Sequence, residues 1–447
     1  MEDKQTKPII NLFLLLILPV FLLIAVIYFK NNAKPTYDLK NLPLIQLNQQ
    51  GLQEITDQAG DANYVLLGES SHGTAEYYDW RREISKKLIQ EKGFSFIAVE
   101  GDWAALYRVN QYVKHQADTE MSAREILASF ERWPTWMWAN EEFLQLVEWL
   151  HEYNRALPLE QRVGIYGKDV YGVSDSISQV LVYLEQVNQE LANSVQQAYQ
   201  CLLVYDDDFS AYINDYLNQN YSCEAEVSSV VTLLRENSEL LQSTENNGAA
   251  FFNAKQNALA AKHGELYYRN SAFQGPQGWN SRVEYMKETV NRLTEYYSDG
   301  AKGIIWAHNT HVGDARATDM VGAGMINIGQ LLRERYGEDR IFIIGFGTNQ
   351  GNVAAGREWG DQLQVMTVPE ARIGSIEHFL SGLGHDSFIL FLTDQELPPE
   401  LTELRGHRAK GVVYNPEREA GNYVTTLISQ RYDAFIFIKE TQALTAI

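Results

Sequence analysis

At 447 residues, with 45% of them hydrophobic, the chain is too long for one small core. A single large α/β domain with an inserted helical subdomain accommodates this length. The formal net charge of −21 predicts that nucleic acid is not a partner, because an acidic surface repels phosphate.

The first predicted element is an apolar run, Ile9–Phe29, which has lysines on both sides and is long enough to span a bilayer. It lacks a small-residue cleavage pattern, so residues 1–30 are predicted to be an uncleaved transmembrane anchor. N-terminal anchors usually export the domain that comes after them, which predicts a single-pass protein of the cell membrane with an extracytoplasmic folded domain. Residues 31–43 are predicted to be a linker, and residues 44–447 the folded domain.

Short apolar runs punctuate the folded domain, and they are strand-length, β-rich and not alternating. Such runs are typical of the buried strands of a parallel sheet. We therefore predict an α/β fold with a mostly parallel central sheet flanked by helices. The runs are residues 64–68, 96–99, 163–167, 303–307, 341–346, 387–392, 411–414 and 434–439.

Helical patterns fill the intervals between these runs. Residues 74–93 have a threonine cap, an acidic first turn and a closing glycine, which predicts a helix. Further helices are predicted for residues 103–115 and 123–154, the second broken at Pro134. No strand-like run occurs between residues 174 and 299, which predicts a large helical insertion or lid.

The chain has two cysteines, Cys201 and Cys223, and both fall in the predicted helical insertion. An exported location would favour one disulfide, but two free thiols give the same sequence pattern. Neither cysteine has the spacing of a metal finger or of a Cys-His catalytic pair.

Tryptophans crowd near the segments that are predicted to form a cleft. They would either line an aromatic pocket or pack in the core, and the sequence does not separate these alternatives. The residues are Trp103, Trp133, Trp136, Trp138 and Trp149.

Half of the apolar runs end directly on polar side chains that are suited to chemistry. Ligands of a parallel sheet collect just beyond the carboxyl ends of its strands, so these side chains are predicted to share one cleft. The residues are Glu69, His72, Glu100, Asp169, His308 and His311.

A histidine removes a proton from water near neutral pH, and His72 stands three residues after Glu69, whose carboxylate could fix its tautomer. The alternative is that both residues only cap the following helix. Arg81 lies about two turns into that helix, and we predict that its guanidinium faces the cleft and stabilises a developing oxyanion. The alternative for Arg81 is an ordinary solvated helix residue.

Several segments resemble the erythromycin esterase family in both content and order, over residues 50 to 445. They are Leu66–Thr74, Ala98–Trp103, Tyr166–Asp169, Trp306–Val312 and Gly411–Glu417.

The resemblance implies a hydrolase that opens an ester, bulky or macrocyclic like a macrolide lactone, with an activated water molecule. It implies His72 as the general base, with Glu69, Glu100, His308 and Arg81 as further catalytic residues. His311 and Asp169 are predicted to contact the substrate. Residues 282–286 resemble the family's Arg-Asp-x-x-Met stretch, but Val283 replaces the acid, so this segment has no predicted role.

Three other interpretations remain open. A metal-dependent hydrolase or peptidase would use the Glu and His residues named above as ligands for zinc or manganese, whereas the first interpretation needs no cofactor. Serine catalysis would use Ser70, although His72 stands where a nucleophile turn requires glycine. A surface binding module would keep the cleft without turnover.

Overall fold

The computed structural model of the protein describes residues 38–116, 120–205, 208–242, 247–298, 300–393 and 395–447. The predicted anchor, residues 1–30, lies outside these ranges, as does most of the predicted linker. No helix of the described ranges has the length and apolar character needed to cross a membrane. This finding corrects the prediction of a single-pass membrane protein. That prediction combined an N-terminal anchor helix with an extracytoplasmic domain.

The described residues form eleven strands. They are β1 (Ile45–Gln46), β2 (Tyr64–Leu67), β3 (Phe94–Asp102), β4 (Gly164–Asp169), β5 (Lys302–Trp306), β6 (Ile341–Ala355), β7 (Gln364–Val368), β8 (Ser387–Phe391), β9 (Arg405–Arg408), β10 (Tyr423–Thr426) and β11 (Ala434–Thr441).

The α-helices of the same residues are α1 (Gln49–Ala59), α2 (Ala75–Lys92), α3 (Trp103–Val113), α4 (Ala123–Ala128), α5 (Glu141–Asn154), α6 (Val173–Val187), α7 (Gln189–Leu203), α8 (Phe209–Gln219), α9 (Glu224–Glu236), α10 (Ser238–Gln242), α11 (Asn247–Ser271), α12 (Gln277–Tyr297), α13 (Asn309–Val312), α14 (Ile328–Tyr336), α15 (Ile376–Ser381), α16 (Pro399–Thr402) and α17 (Ile428–Arg431). Short 3₁₀ helices occupy Leu39–Asn41, Thr135–Met137, Leu159–Gln161, Ala315–Ala317, Asp319–Ala323, Glu338–Arg340 and Pro416–Gly421.

The central sheet has nine strands in the order β1-β8-β11-β6-β2-β5-β3-β4, with β7 paired to β6. The strands from β11 to β4 in this order run parallel. The pairs β1–β8, β8–β11 and β6–β7 are antiparallel, so the predicted mostly parallel sheet is corrected to a mixed one. The sequence did not reveal this because β7 is largely exposed and returns in a hairpin from β6, which is long and reaches past its predicted end.

Helices cover both faces of the sheet, which explains why the strands do not alternate between apolar and polar residues. Val65 and Leu67 pack on one face with side chains of α2 and α5. Tyr64 and Leu66 pack on the other face with side chains of α12 and α14. Every residue of β2 is therefore buried.

One predicted strand is wrong. Residues 411–414 form no strand and make only an isolated bridge, in which Val413 pairs with Gly356. Gly356 is bonded to the carbonyl of Val412 and to the amide of Tyr414, and the pairing goes no further because Pro416 begins a 3₁₀ turn directly afterwards. The predicted break at Pro134 is present, since α4 ends at Ala128 and α5 begins at Glu141.

Between β4 and β5 the described residues are helical, from α6 to α12, and we call residues 173–297 the helical region. It has an apolar core of its own, to which α6 to α11 contribute. Cys201 and Cys223 lie in this region as free thiols, Cys223 fully buried. The division of the chain into linker, hydrolase domain and lid stays a prediction.

Candidate active site

The polar side chains that follow the apolar runs meet at one edge of the sheet. The strands β2, β5, β3 and β4 are neighbours in that order and run parallel, so their carboxyl ends lie side by side. Glu69 and His72 follow β2, Glu100 lies near the end of β3, Asp169 ends β4 and His308 follows β5. The cluster is nearly enclosed: His72 is 7% exposed, Glu100 5% and His308 4%.

The loop between β2 and α2 holds His72 against Glu69. The His72 Nδ1 lies 2.8 Å from Oε1 of Glu69. This nitrogen therefore carries a proton and donates a hydrogen bond to the carboxylate. The other carboxylate oxygen, Oε2, is 2.6 Å from Nη2 of Arg81, in an ion pair that is not aligned as a hydrogen bond. His72 Nε2 has no hydrogen-bond partner in the described part of the chain, and it is therefore open to a substrate or a water molecule.

Opposing effects act on the pKa of His72. Burial lowers the pKa of this imidazole, but the hydrogen bond and the negative charge of Glu69 outweigh burial and leave the pKa above its ordinary value. A raised pKa makes the free ring a stronger base. It also means that the ring becomes fully available only above neutral pH.

His308 faces His72, with the two ring centroids 5.1 Å apart. Its Nδ1 accepts a hydrogen bond from the backbone N–H of Thr310 at 3.2 Å, so the neutral ring carries its proton on Nε2. Burial lowers the pKa of His308 well below its ordinary value, and the nearby charge of His72 lowers it further. His308 is therefore a neutral imidazole, which can donate a hydrogen bond but is a poor base.

Arg282, on α12, joins the carboxylates at the ends of β3 and β4. Its Nη2 donates to Oε1 of Glu100 at 2.7 Å, and its Nε and Nη2 donate to Asp169 at 2.8 and 2.6 Å. The second oxygen of Glu100, Oε2, accepts from the backbone N–H of His308 at 2.8 Å. Glu100 thereby fixes the start of the loop that carries His308.

His311 closes this network from the same loop. Its Nε2 lies 3.0 Å from Nη1 of Arg282 and 3.3 Å from Oε1 of Glu100. Trp279, one turn before Arg282 on α12, stacks on the His311 ring at 4.3 Å between centroids and 8° between planes. The ring of His311 is therefore held by its neighbours.

The charges of the network are set by burial and by Arg282. Burial raises the pKa of Glu100, but His311 and Arg282 outweigh it and hold that pKa well below its ordinary value. Arg282 likewise keeps the pKa of Asp169 low against burial. Both acids are therefore carboxylates at neutral pH. Burial lowers the pKa of the nearby Lys168 to about 8.

The structure brings the predicted residues into one cluster, but one of them is placed differently from the expectation. Arg81 is fully buried behind Glu69, between the rings of Tyr78 and Trp306, and it does not face the cleft. Asp169 and His311 are both bonded to Arg282, and their contact with the substrate stays a prediction.

Sequence reasoning missed Arg282. It lies 113 residues from Asp169 and 182 residues from Glu100, on a helix whose pattern reveals only which side is apolar. The signal that was available was the resemblance of residues 282–286 to the family's Arg-Asp-x-x-Met stretch. The change at Val283 leaves the arginine in place, because Val283 itself is buried on another side of α12.

Other interpretations find less support in this geometry. The Ser70 hydroxyl is buried and bonded to the Tyr77 hydroxyl at 2.7 Å, so it is not paired with an imidazole as a serine nucleophile requires. Among the described residues, no group of three or more His, Cys, Asp or Glu side chains is arranged to hold a metal ion. Arg282 already takes an oxygen of Glu100, one of the two carboxylates that the metal interpretation names as ligands.

Comparisons with known proteins agree on one family. The sequence pattern described as erythromycin esterase matches residues 89–441. The chain is 24% identical over 383 residues to an erythromycin esterase type II of Escherichia coli, which covers 77% of this chain and 84% of that protein. A solved succinoglycan biosynthesis protein has a TM-score of 0.74 and 21% identity over 91% of this chain and 97% of its own. A solved erythromycin esterase mutant in its open conformation has a TM-score of 0.66 and 17% identity over 90% and 98% of the two chains.

Proposed function

The chain belongs to the erythromycin esterase family and is a hydrolase of ester bonds, and from that premise we propose that it cleaves a bulky or macrocyclic ester with a water molecule activated by His72. The observation that carries the proposal is the Glu69–His72 pair at 2.8 Å, whose imidazole keeps Nε2 open. A base needs such a free nitrogen within reach of the water.

The proton path follows from the tautomer of His72. Nε2 takes a proton from water, while the proton on Nδ1 stays there and remains hydrogen-bonded to Glu69. The resulting hydroxide attacks the ester carbonyl carbon. The bond to the leaving alcohol oxygen then breaks, and the imidazolium returns its proton to that oxygen. The products are a carboxylic acid and an alcohol, and the enzyme regains its starting protonation. The charge of Glu69 stabilises the imidazolium between these steps.

The oxyanion that forms on the carbonyl oxygen needs a hydrogen-bond donor near His72. The Nε2–H of neutral His308, whose ring lies beside that of His72 at 5.1 Å between centroids, suits this role. The buried positive charges of Arg282 and Lys168 add to the stabilisation, because charges act more strongly away from water. In this proposal Arg81 supports Glu69 and does not touch the substrate.

A panel of simple esters and lactones tests the proposal, with wild type and His72→Ala compared with and without chelator. We expect turnover of at least one ester that is lost in His72→Ala and unchanged by chelator. Loss of turnover on adding chelator would replace this mechanism by the metal-dependent one. Full activity of His72→Ala would show that His72 is not the base.

A further inference from the structure

Trp359 is exposed to an unusual degree for its residue type. Its side chain is 66% exposed, whereas Trp103 is 1% exposed and Trp306 is fully buried. Trp133 lies beside it, with ring centroids 4.6 Å apart and planes at 57°. Large apolar rings that face solvent together commonly mark a binding site, because leaving them hydrated forgoes the stabilisation of burial. Nothing in the hydrolytic scheme above uses this pair.

The pair lies close to the loop of His72. Ala354, near the end of β6, donates its N–H to the carbonyl of Gly73 at 2.9 Å, directly after the proposed base. Gly356 follows two residues later, about 7 Å further along the chain. A side chain at Gly356 would place its first carbon 3.1 Å from the Trp133 ring, so the two are in contact.

A second connection runs from Trp133 to Glu100 and Arg282. Arg132 binds both carboxylate oxygens of Asp102, two residues after Glu100. The Arg132 guanidinium also lies 5.1 Å from the ring centre of Tyr171, and Arg282 lies 4.9 Å from the same ring. The backbone of Trp133 is therefore connected to Arg282 through the Arg132 guanidinium, which also donates to the Trp133 carbonyl, and the ring of Tyr171.

The Trp133 ring and the turn that carries Trp359 are held in place before any ligand arrives. Trp133 donates its Nε1–H to the carbonyl of Asp361 at 2.9 Å. The side chain of Asp361 accepts from the backbone N–H of Glu358 at 3.0 Å, which closes the turn that carries Trp359. A ring that is fixed, like that of Trp133, loses little conformational entropy when a ligand binds.

We propose that Trp133 and Trp359 form a subsite for a sugar ring, so that the substrate is an O-acylated saccharide; this rests on the proposed ester hydrolysis. The C–H bonds on one face of a pyranose are polarised by the ring oxygens and suit the negative face of an indole. Glu358 and Asp361 belong to the turn that carries Trp359, so their carboxylates can accept from the hydroxyl groups of a sugar and would repel an anionic ligand. A neutral ligand with hydroxyl groups would use both the rings and these acceptors, whereas an apolar ligand would use the rings alone.

Two acetates of primary alcohols test the subsite, methyl 6-O-acetylglucopyranoside and ethyl acetate, because they share the acyl group and differ in the sugar. Wild type is expected to prefer the sugar ester, and Trp359→Ala is expected to raise KM for it about ten-fold. The same variant is expected to leave kcat/KM for ethyl acetate within about two-fold of wild type. Phe273→Ala is the matched control, since Phe273 is an aromatic residue that is 55% exposed on the helical region.

Binding of methyl glucopyranoside, followed by tryptophan fluorescence, separates the subsite from the chemistry. Saturable quenching in wild type that is lost in Trp359→Ala supports the subsite even if neither ester is cleaved, an outcome that would count against the proposed hydrolysis alone. The subsite is overturned if both esters are cleaved and Trp359→Ala changes them equally or not at all. It is also overturned if wild type shows no quenching, or if phenyl acetate depends on Trp359 as strongly as the sugar ester does.

Discussion

The Glu69–His72 pair and the Glu377–His407 pair contain the same groups in nearly the same geometry. The His72 Nδ1 lies 2.8 Å from Glu69, and the His407 Nδ1 lies 2.6 Å from Glu377. Their second ring nitrogens differ, because Nε2 of His407 already accepts from the hydroxyl of Tyr432 at 3.1 Å and from the amide of Asn309 at 3.2 Å.

The pKa values of the two histidines move in opposite directions. Burial lowers both, but Glu69 outweighs burial at His72, whereas the positive charges of Arg431 and Lys410 add to the lowering at His407. A histidine beside a carboxylate is therefore not a base by virtue of that pairing alone. Its second nitrogen must be open and its surroundings must favour the protonated ring.

The comparison is tested most strongly by making the same substitution in both histidines. We expect His72→Gln to lower kcat/KM on a cleaved ester by about 1000-fold, within the range for loss of a general base. We expect His407→Gln to lower it by less than about ten-fold, since among the described residues its ring reaches the loop that carries His308 through the amide of Asn309 alone. Steady-state kinetics on both variants, with circular dichroism to verify folding, measures the difference. Equal losses would remove the distinction between the pairs.

The second test concerns stability. Glu377→Leu leaves the Nδ1–H of His407 and the N–H of Arg408 without their shared acceptor in a fully buried place, where each lost bond is costly. We expect a loss of about 3 kcal/mol in the free energy of unfolding. Urea denaturation measures it, with Glu370→Leu at an exposed position as the control, for which the change should stay within about 0.5 kcal/mol. An unchanged Glu377→Leu would mean that this pair is not structural.

The third test uses pH. As a base, His72 must be unprotonated, so kcat/KM should rise with pH through a raised pKa, with a midpoint above about 6.5. Glu69→Gln removes the charge that raises this pKa, and we expect the midpoint to move to lower pH, together with a lower maximum rate. Full pH–rate profiles of both proteins give the midpoints. A midpoint that does not move would show that the rise of kcat/KM with pH does not report the deprotonation of His72.

The smallest expected effect is in the titration of the two rings. By histidine NMR, His72 should titrate above and His407 below the ordinary value of about 6.5. The stability from His72 is fully present below that value and is lost as pH rises through its folded-state pKa. The stability from His407 is present above that value and is lost as pH falls toward its lowered pKa. Titration of both rings in the same direction would contradict the comparison.

Much of the sheet was accessible from sequence because its strands are buried on both faces. β2, β5 and β11 read as continuous apolar runs, and the polar residues after such runs could be assigned to one edge. β9 was not predicted, since its residues Arg405–Arg408 carry two arginines and a histidine. Its pairing with β10 and the buried partners of Arg408 stabilise it, and neither is visible in a local pattern.

Side-chain pairs between distant elements were the part that sequence could not supply. His407 had no defensible partner, because Glu377 lies 30 residues away on a separate short helix. For Arg81, helical spacing predicted a guanidinium that faces the cleft but not the side of Glu69 from which the arginine approaches. That side depends on how α2 packs, with Tyr78 and Trp306 around the guanidinium.

Arg282 also determines what an opening of the cluster would cost. It belongs to the last helix of the helical region, while Glu100 and Asp169 belong to strands of the sheet. A movement of α12 away from the sheet would leave two adjacent buried carboxylates without their shared cation, at a cost of about 3–5 kcal/mol. At about 1.4 kcal/mol for each factor of ten, such an open form would be populated in roughly one molecule in a hundred to one in a few thousand. A substrate that needs this opening would bind with an apparent affinity lowered by the same factor.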